Sequence, residues 1–208
     1  RYYGVDVDLY RPAAAQERAA LRERLDLPRD AFLILLSSRI SHEKDPETVL
    51  QAVAFARARG LNAAVLNLGG DYREFLALAA TTGIPDAADW VLGRPAAHPM
   101  KELADFYRAA DLLVQGSLEE GLGFSPLEAL ACEVPVVASA VGGLAAHLGE
   151  VAMLTPRRDA VAMAAAILQV ASNPRGAQAR ARRGREYVAR HWSRPRAFAE
   201  LGQVLAEA

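Results

Sequence analysis

Short apolar runs alternate along the chain with longer segments whose apolar positions recur at helical spacing. The clearest run, 32–36, is unbroken, which is typical of a β-strand covered on both of its faces. The pattern predicts strands at 32–36, 63–68, 90–92, 111–114, 134–138 and 151–154. It predicts helices from Asp45-Pro46 up to Gly60 and at 73–82, 101–110, 126–132, 160–171, 176–190 and 195–206.

Strands and helices that alternate in this way form parallel strands joined by right-handed crossovers. We therefore predict an α/β fold with a single Rossmann-like domain over residues 1–208. It contains a parallel six-stranded sheet with helices on both faces. Ligands of such sheets bind beyond the carboxyl ends of the strands, so the chemistry is expected in the loops that follow them.

Composition narrows the class of protein. A length of 208 residues suits one domain, and a net charge of −1 gives no basic field to attract nucleic acid. The single cysteine, Cys132, cannot form an internal disulfide, which favours a reducing, cytoplasmic location. No apolar run is long enough to span a bilayer. The chain opens on Arg1 rather than methionine, which is expected of a piece of a longer protein.

One segment, 175–196, carries eight arginines. A solvated helix face is the simplest interpretation of such a run. A contact with anionic lipid or with an acidic partner is the alternative, and it would place the protein peripherally at the inner face of a membrane.

Two cations follow the first predicted strand and precede the next helix. Arg39 and Lys44 stand at the positive end of that helix dipole, a position that suits a diphosphate. Arginine can bind phosphate oxygens with two parallel hydrogen bonds, and lysine acts as a movable point charge. The alternative is a pair of ordinary surface cations.

The loop after the fourth predicted strand combines glycines with carboxylates. Gly121 and Gly123 permit a close backbone approach just before a helix N-terminus, which is an anion site. Glu120 and Glu128 are suited to bind vicinal hydroxyls rather than phosphate. For Glu128 the alternative is a capping box, in which Ser125 caps the helix and Glu128 completes the box.

A glycine pair, Gly142-Gly143, follows the fifth predicted strand and could admit a ligand or simply form a tight turn. No histidine or cysteine cluster has metal-ligand spacing, and the single Asp-x-Asp string, Asp6-Val7-Asp8, lies far along the chain from these loops. The four histidines are scattered in sequence and are expected to be solvent-facing or structural, although His42 lies in the same loop as Arg39 and Lys44. We therefore predict no metal site.

Together these segments resemble glycosyltransferase family 4, the retaining group 1 enzymes with two Rossmann domains (the GT-B fold). The resemblance covers nearly the whole chain and corresponds to the C-terminal half of that fold, which binds the donor. The motifs that carry it are Gly4-Val5-Asp6 with Tyr10-Arg11-Pro12, Arg39 with Lys44, Leu68-Gly69-Gly70, Val91-Leu92-Gly93, Tyr107 and Asp111 with Ser117, Glu120 with Glu128, and Pro135-Val136-Val137-Ala138-Ser139 with Val141-Gly142-Gly143.

Four positions depart from the family pattern. Tyr3 stands where the family usually has asparagine, and Ala146 stands where a glutamate commonly follows the glycine pair. Gln115-Gly116 stands where the family usually has an apolar residue and proline. Glu133 stands where a glycine usually follows the helix, a position that favours a left-handed backbone.

The resemblance implies roles for individual residues. Arg39 and Lys44 would hold the donor diphosphate and stabilise the leaving group, and Glu120 would bind hydroxyls of the transferred sugar; these three form the implied catalytic set. The implied donor-binding set is Gly93 and Arg94 near the base, Gly121, Gly123 and Phe124 through backbone amides, Glu128 on the ribose, and Gly142 and Gly143 at the glycine turn.

The resemblance also implies partners. The substrate would be a nucleotide diphosphate sugar, with UDP as the commonest nucleotide of the family, and neither a cofactor nor a metal would be needed. The acceptor would bind an N-terminal domain, which residues 192–208 would reach as a closing helix. The chain alone would then be inactive. Two alternatives stay open: a non-catalytic nucleotide-binding module, or a nucleotide-sugar epimerase or phosphorylase relative.

Overall fold

The computed structural model describes residues 4–84, 86–93 and 100–206. Its centre is one parallel sheet of six strands, in the order β3-β2-β1-β4-β5-β6. The strands are β1 (Phe32–Leu36), β2 (Ala63–Asn67), β3 (Val91–Gly93), β4 (Leu112–Gln115), β5 (Val136–Ser139) and β6 (Met153–Thr155). The predicted fold class is confirmed, and each strand lies within three residues of its predicted bounds.

Helices cover both faces of the sheet. They are α1 (Ala15–Arg24), α2 (Pro46–Ala58), α3 (Tyr72–Thr81), α4 (Met100–Ala109), α5 (Phe124–Ala131), α6 (Gly142–Leu148), α7 (Ala160–Ser172), α8 (Pro174–His191) and α9 (Arg194–Ala206). A 3-10 turn, His42–Lys44, precedes α2. Among the described residues, no helix has the length and apolar character needed to cross a membrane.

The apolar core lies in two layers, one on each face of the sheet. Along β1, Leu33 and Leu35 point into one layer, while Ile34 and Leu36 point into the other. All four side chains are essentially inaccessible, and each such burial contributes roughly 1.5–3 kcal/mol to folding. Burial on both faces explains why the strand reads as an unbroken apolar run.

Helix α1 has no counterpart in the sequence prediction, because its buried residues are only Leu21 and Arg22 and its apolar pattern is weak. Charge holds it to the sheet instead. The carboxylate of Asp111 accepts hydrogen bonds from Arg18 at 3.0 Å, from Arg22 at 2.6 Å and from the backbone N–H of Leu33 at 2.7 Å. Asp111 therefore joins α1 to the starts of two neighbouring strands.

Two predicted helix starts have different outcomes. Asp45 caps α2 as predicted: its side chain accepts from the backbone N–H of Thr48. The alternative of a capping box formed by Ser125 and Glu128 is wrong, because α5 begins at Phe124 with Gly123 as its N-cap. Gly123 adopts a φ of 72°, which lets the chain turn into the helix two residues early.

The left-handed backbone predicted at Glu133 is confirmed, with a φ of 56°.

The arginines of the segment 175–196 fall into two groups, one that points inward and one that faces solvent. Arg185 points inward and donates to the backbone carbonyls of Tyr10, at 3.1 Å, and of Ala131. Arg182 and Arg183 are exposed, so part of the segment is structural and part faces solvent.

Candidate functional site

The predicted cation loop and carboxylate loop meet at the carboxyl ends of β1 and β4. These strands are neighbours at the point where the strand order reverses, which is where open α/β sheets bind ligands. A cavity of about 410 Å³ opens there. Its lining residues are Ser37, Ser38, Arg39, Lys44, Gly69, Gln115, Glu120, Gly123, Phe124 and Ser125.

Lys44 and Glu120 form an ion pair inside this cavity. The lysine Nζ lies 2.6 Å from Oε2 of Glu120, and the two side chains are 20% and 13% exposed. The amide of Gln115 donates to the same oxygen at 2.7 Å. Partial burial strengthens such a pair relative to one on the surface, so the two charges hold each other in place.

Arg39 lies at the rim of the cavity. Its side chain is 77% exposed and makes a long, 3.5 Å contact with Glu43. Exposed pairs of this kind contribute little to stability, so the guanidinium can leave Glu43 for a stronger anion at small cost. Arg39 thus supplies a positive charge that can move, and Lys44 supplies one that Glu120 holds in place.

The N-terminus of α5 faces the same cavity, because Gly123, Phe124 and Ser125 line it. Among the described residues, no side chain accepts a capping hydrogen bond at this end of the helix. The hydroxyl of Ser125, which could have done so, donates to the carbonyl of Ser37 at 2.7 Å and so ties the two loops together. An uncapped helix start next to two cations favours a bound anion.

The glycine pair supports the carboxylate loop from behind. Gly142 and Gly143 form the first turn of α6, and a Cβ on Gly142 would overlap the carbonyl oxygen of Glu120. A Cβ on Gly143 would overlap the carbonyl oxygen of Gly121. The N–H of Gly143 donates to the Glu120 carbonyl at 3.1 Å. The close approach that these glycines permit is therefore made by the protein's own backbone.

Glu128 has a different environment and is not among the lining residues of this cavity. It lies on α5 near Tyr107 and Tyr10, whose rings pack edge to face with centroids 5.5 Å apart. Burial raises the pKa of its carboxyl, while the neighbouring hydroxyls of Tyr107 and Tyr10 lower it, and burial is the larger effect. Burial and the charge of Glu128 together raise the pKa of Tyr107 well above 10.

Of the remaining predicted residues, Gly93 ends β3 beside Asn67 and does not line the cavity. Arg94 lies outside the described residues. Gly121 is exposed, with open space where a Cβ would stand. His42 faces away from the cavity toward Arg158, whose Nη2 is 3.4 Å from its Nε2.

Gln115 is a site residue that the sequence prediction did not include. Its signal was present: a polar side chain ends an otherwise apolar strand, at a position where the family pattern differs. Within the described ranges, no three histidine, cysteine, aspartate or glutamate side chains are grouped as metal ligands would be.

The fold and the site together define a Rossmann-like α/β domain whose switch point holds a cavity lined by Arg39, Lys44 and Glu120. The model of a protein family, glycosyl transferases group 1, matches residues 17–187. The chain therefore belongs to the group 1 glycosyltransferases.

A curated relative is D-inositol 3-phosphate glycosyltransferase 1 of Catenulispora acidiphila. It is 37% identical over 184 residues, which cover 82% of this chain and 42% of the relative. The chain thus spans less than half the length of the curated relatives that it matches.

Two solved structures share the fold. Anabaena Alr3699/HepE in complex with UDP-glucose has a TM-score of 0.85 and 19% identity, covering 99% of this chain and 56% of that one. The C-terminal domain of the group 1 glycosyltransferase LpcC from Francisella tularensis has a TM-score of 0.77 and 19% identity, covering 92% of this chain and 100% of that one. The Rossmann-like fold is that of GT-B glycosyltransferases.

Proposed function

We propose that this chain is the donor-binding, C-terminal half of a retaining glycosyltransferase of family 4. In the whole protein it would hold a nucleotide diphosphate sugar while the sugar passes to an acceptor. One observation carries the proposal: Glu120 is distant in sequence from Arg39 and Lys44, and yet all three line a single cavity at the switch point of the sheet.

The charges in the cavity suit the two parts of such a donor. Lys44, Arg39 and the start of α5 would bind the diphosphate, and Glu120 would accept hydrogen bonds from the sugar hydroxyls. Phosphate and carboxylate repel each other, so the cations must lie on the phosphate side of Glu120. The 2.6 Å pair of Lys44 and Glu120 would mark the boundary between the two parts.

For the reaction, we propose departure and attack on the same face of the sugar, without a protein nucleophile. The bond between the anomeric carbon and the diphosphate oxygen breaks, and Lys44 and Arg39 stabilise the negative charge of the leaving group. The acceptor hydroxyl attacks that carbon from the same side and passes its proton to the departing oxygen. Catalysis then rests on positioning and charge stabilisation.

Glu128 is proposed to bind the ribose hydroxyls, with the two tyrosyl hydroxyls fixing its orientation. Its pKa is raised by burial, so it would bind a diol as an acceptor that is only weakly solvated. The base is proposed to lie over Gly93 and the loop that follows it.

The acceptor site is proposed to lie on an N-terminal domain that packs against α9. This helix exposes a stripe of large apolar side chains: Phe198 is 65% exposed and Leu205 is 68% exposed, with Val204 beside them. Contiguous exposed apolar groups of this kind mark an interface. The chain by itself is therefore expected to bind donor and to transfer no sugar.

Calorimetry tests the donor assignment directly. UDP, GDP and ADP and their glucosyl or mannosyl derivatives would be titrated into the chain, with UDP tested first because it is the commonest family nucleotide. We expect saturable binding of one nucleotide series, and no binding to any series would contradict the proposal. For the full-length protein, D-inositol 3-phosphate is the first acceptor to try, because curated relatives carry that name.

A further inference from the structure

Gln115 is a buried polar side chain at the heart of the cavity. It is the last residue of β4, it is only 5% exposed, and it lines the cavity between Lys44 and Glu120. A buried amide left without hydrogen bonds costs about 1–3 kcal/mol, whereas an apolar side chain would end the strand without that cost. The amide therefore needs partners, and its partners indicate what it does.

The Gln115 amide nitrogen has two acceptors. It donates to Oε2 of Glu120 at 2.7 Å and to the hydroxyl oxygen of Ser117 at 3.0 Å. The orientation of the amide is fixed by charge, since the opposite orientation would place its carbonyl oxygen against the carboxylate. A hydrogen bond to an ionised group is about twice as strong as a neutral one.

The donors around Glu120 converge on one of its two oxygens. Lys44 at 2.6 Å, Gln115 at 2.7 Å and Ser117 at 3.5 Å all contact Oε2. Within the described part of the chain, Oε1 of Glu120 has no hydrogen-bond donor. Since a carboxylate oxygen has two in-plane lone pairs, Lys44 and Gln115 fill Oε2 and leave Oε1 available.

We propose that Gln115 is a positioning residue: with Lys44 it holds Oε2 of Glu120, so that Oε1 faces a hydroxyl of the sugar on a nucleotide sugar. Gln115 would then contribute to the affinity for the sugar and not to that for the nucleotide. The inference rests on the proposed function, because it assigns the sugar to Glu120. It adds a residue to the site that the family pattern does not supply.

Two substitutions separate this role from a packing role. Gln115→Met keeps the length of the side chain and removes the donor. Gln115→Glu keeps the shape and places a second carboxylate against Glu120. A matched control is Gln178→Met, because the Gln178 amide also donates to a glutamate, Glu133, at 3.1 Å and lies outside the cavity.

The measurement is the ratio of dissociation constants for a nucleotide diphosphate and its sugar derivative, by calorimetry on the chain. UDP and UDP-glucose are the first probes, followed by the matching GDP and ADP pairs. We expect Gln115→Met to weaken the sugar derivative about tenfold while the nucleotide is bound as by wild type. Gln115→Glu should weaken it further. A cooperative thermal transition of Gln115→Met should show that it still folds, with a melting temperature below that of wild type because the hydrogen bonds to Glu120 and Ser117 are lost.

Other outcomes overturn the inference in distinguishable ways. A wild-type ratio in Gln115→Met, or an equal loss for nucleotide and sugar derivative, removes the positioning role and leaves the proposed function standing. So does a wild-type chain that binds each nucleotide and its sugar derivative equally well. A wild-type chain that binds none of the probes overturns the proposed function and this inference with it.

Discussion

The loop around Glu120 and the helix around Glu128 present the same side chain in opposite surroundings. Glu120 meets a lysine and an amide in an open cavity, and its charge is matched there. Glu128 is half-buried near two tyrosines, and burial raises the pKa of its carboxyl. One carboxylate is held by charge and the other by packing, although they lie in one continuous motif.

The comparison shows that sequence spacing alone does not assign a common role to two acids. The backbone separates them, because the early start of α5 at Phe124 leaves Glu120 in the loop and places Glu128 in the middle of the helix. Perturbations of the loop should therefore affect ligand binding most, and perturbations of the helix should affect the titration of Glu128 most.

The largest expected effect comes from Gly143→Ala. The new methyl group would overlap the carbonyl oxygen of Gly121 and displace the Glu120 loop, while Glu128 is untouched. We expect a loss of about 3 kcal/mol in the free energy of unfolding and loss of nucleotide binding, measured by chemical denaturation and calorimetry. The control is Gly202→Ala in α9, where a Cβ meets nothing within 4 Å and should stabilise the helix by roughly 0.5–1 kcal/mol. Equal stabilities for the two variants would contradict the assigned packing.

Lys44→Met should come next, acting on ligand binding rather than on the fold. It removes the fixed positive charge of the cavity, and we expect nucleotide diphosphate affinity to fall by about 1.5–3 kcal/mol in a calorimetric titration. Arg183→Met, which removes an exposed arginine on α8, is the control and should bind as wild type. If a substitution of Glu128 lowered nucleotide affinity more than Lys44→Met does, the helix and not the loop would dominate ligand binding.

Glu128→Gln should have a smaller effect, visible in the pH dependence of stability. A carboxyl whose pKa is raised on folding contributes stability below its ordinary value of 4.5, and that stability is lost as the pH rises through the folded pKa. The glutamine variant has no such loss. The melting temperature of the variant minus that of wild type should therefore increase from pH 4 to pH 7. A constant difference across that range would show that burial does not act on the charge of Glu128.

The smallest effect is expected from Tyr107→Phe. Its hydroxyl lowers the pKa of Glu128, so removing it should raise that pKa further, as read from the carboxyl carbon in an NMR titration. Tyr10→Phe should give a smaller rise, because the Tyr10 hydroxyl has the weaker effect. An unchanged pKa of Glu128 in both variants would show that neither tyrosyl hydroxyl acts on this carboxyl.

Most of the fold could be predicted from the sequence. Strands buried on both faces appear as apolar runs, and helices appear as segments whose apolar residues recur at helical spacing. The short strand β1 and the cap at Asp45 are examples in which local pattern and structure agree. Helix α1 was not predictable in this way. It is held by the charges of Arg18 and Arg22 on a distant aspartate, which leaves almost no apolar signal.

The sequence predicts which charged residues form the site, but it does not predict which groups hydrogen-bond to each other there. The sequence places Arg39, Lys44 and Glu120 in strand-end loops, and the parallel sheet brings those loops to one edge. It does not show that Ser125 bonds to a carbonyl 88 residues away instead of capping α5. Two start signals, Gly123 and Ser125, compete at that helix, and the long-range contact decides between them.

The bridge between Val5 and Ser193 ties the beginning of the described chain to the turn before α9. The N–H of Val5 donates to Trp192 at 2.7 Å, the N–H of Arg194 donates to Val5 at 2.9 Å, and Arg194 also pairs with Asp6. These contacts join the entering segment to the start of α9. Because the entering segment and the start of α9 are bonded to each other, a displacement of one would displace the other as well.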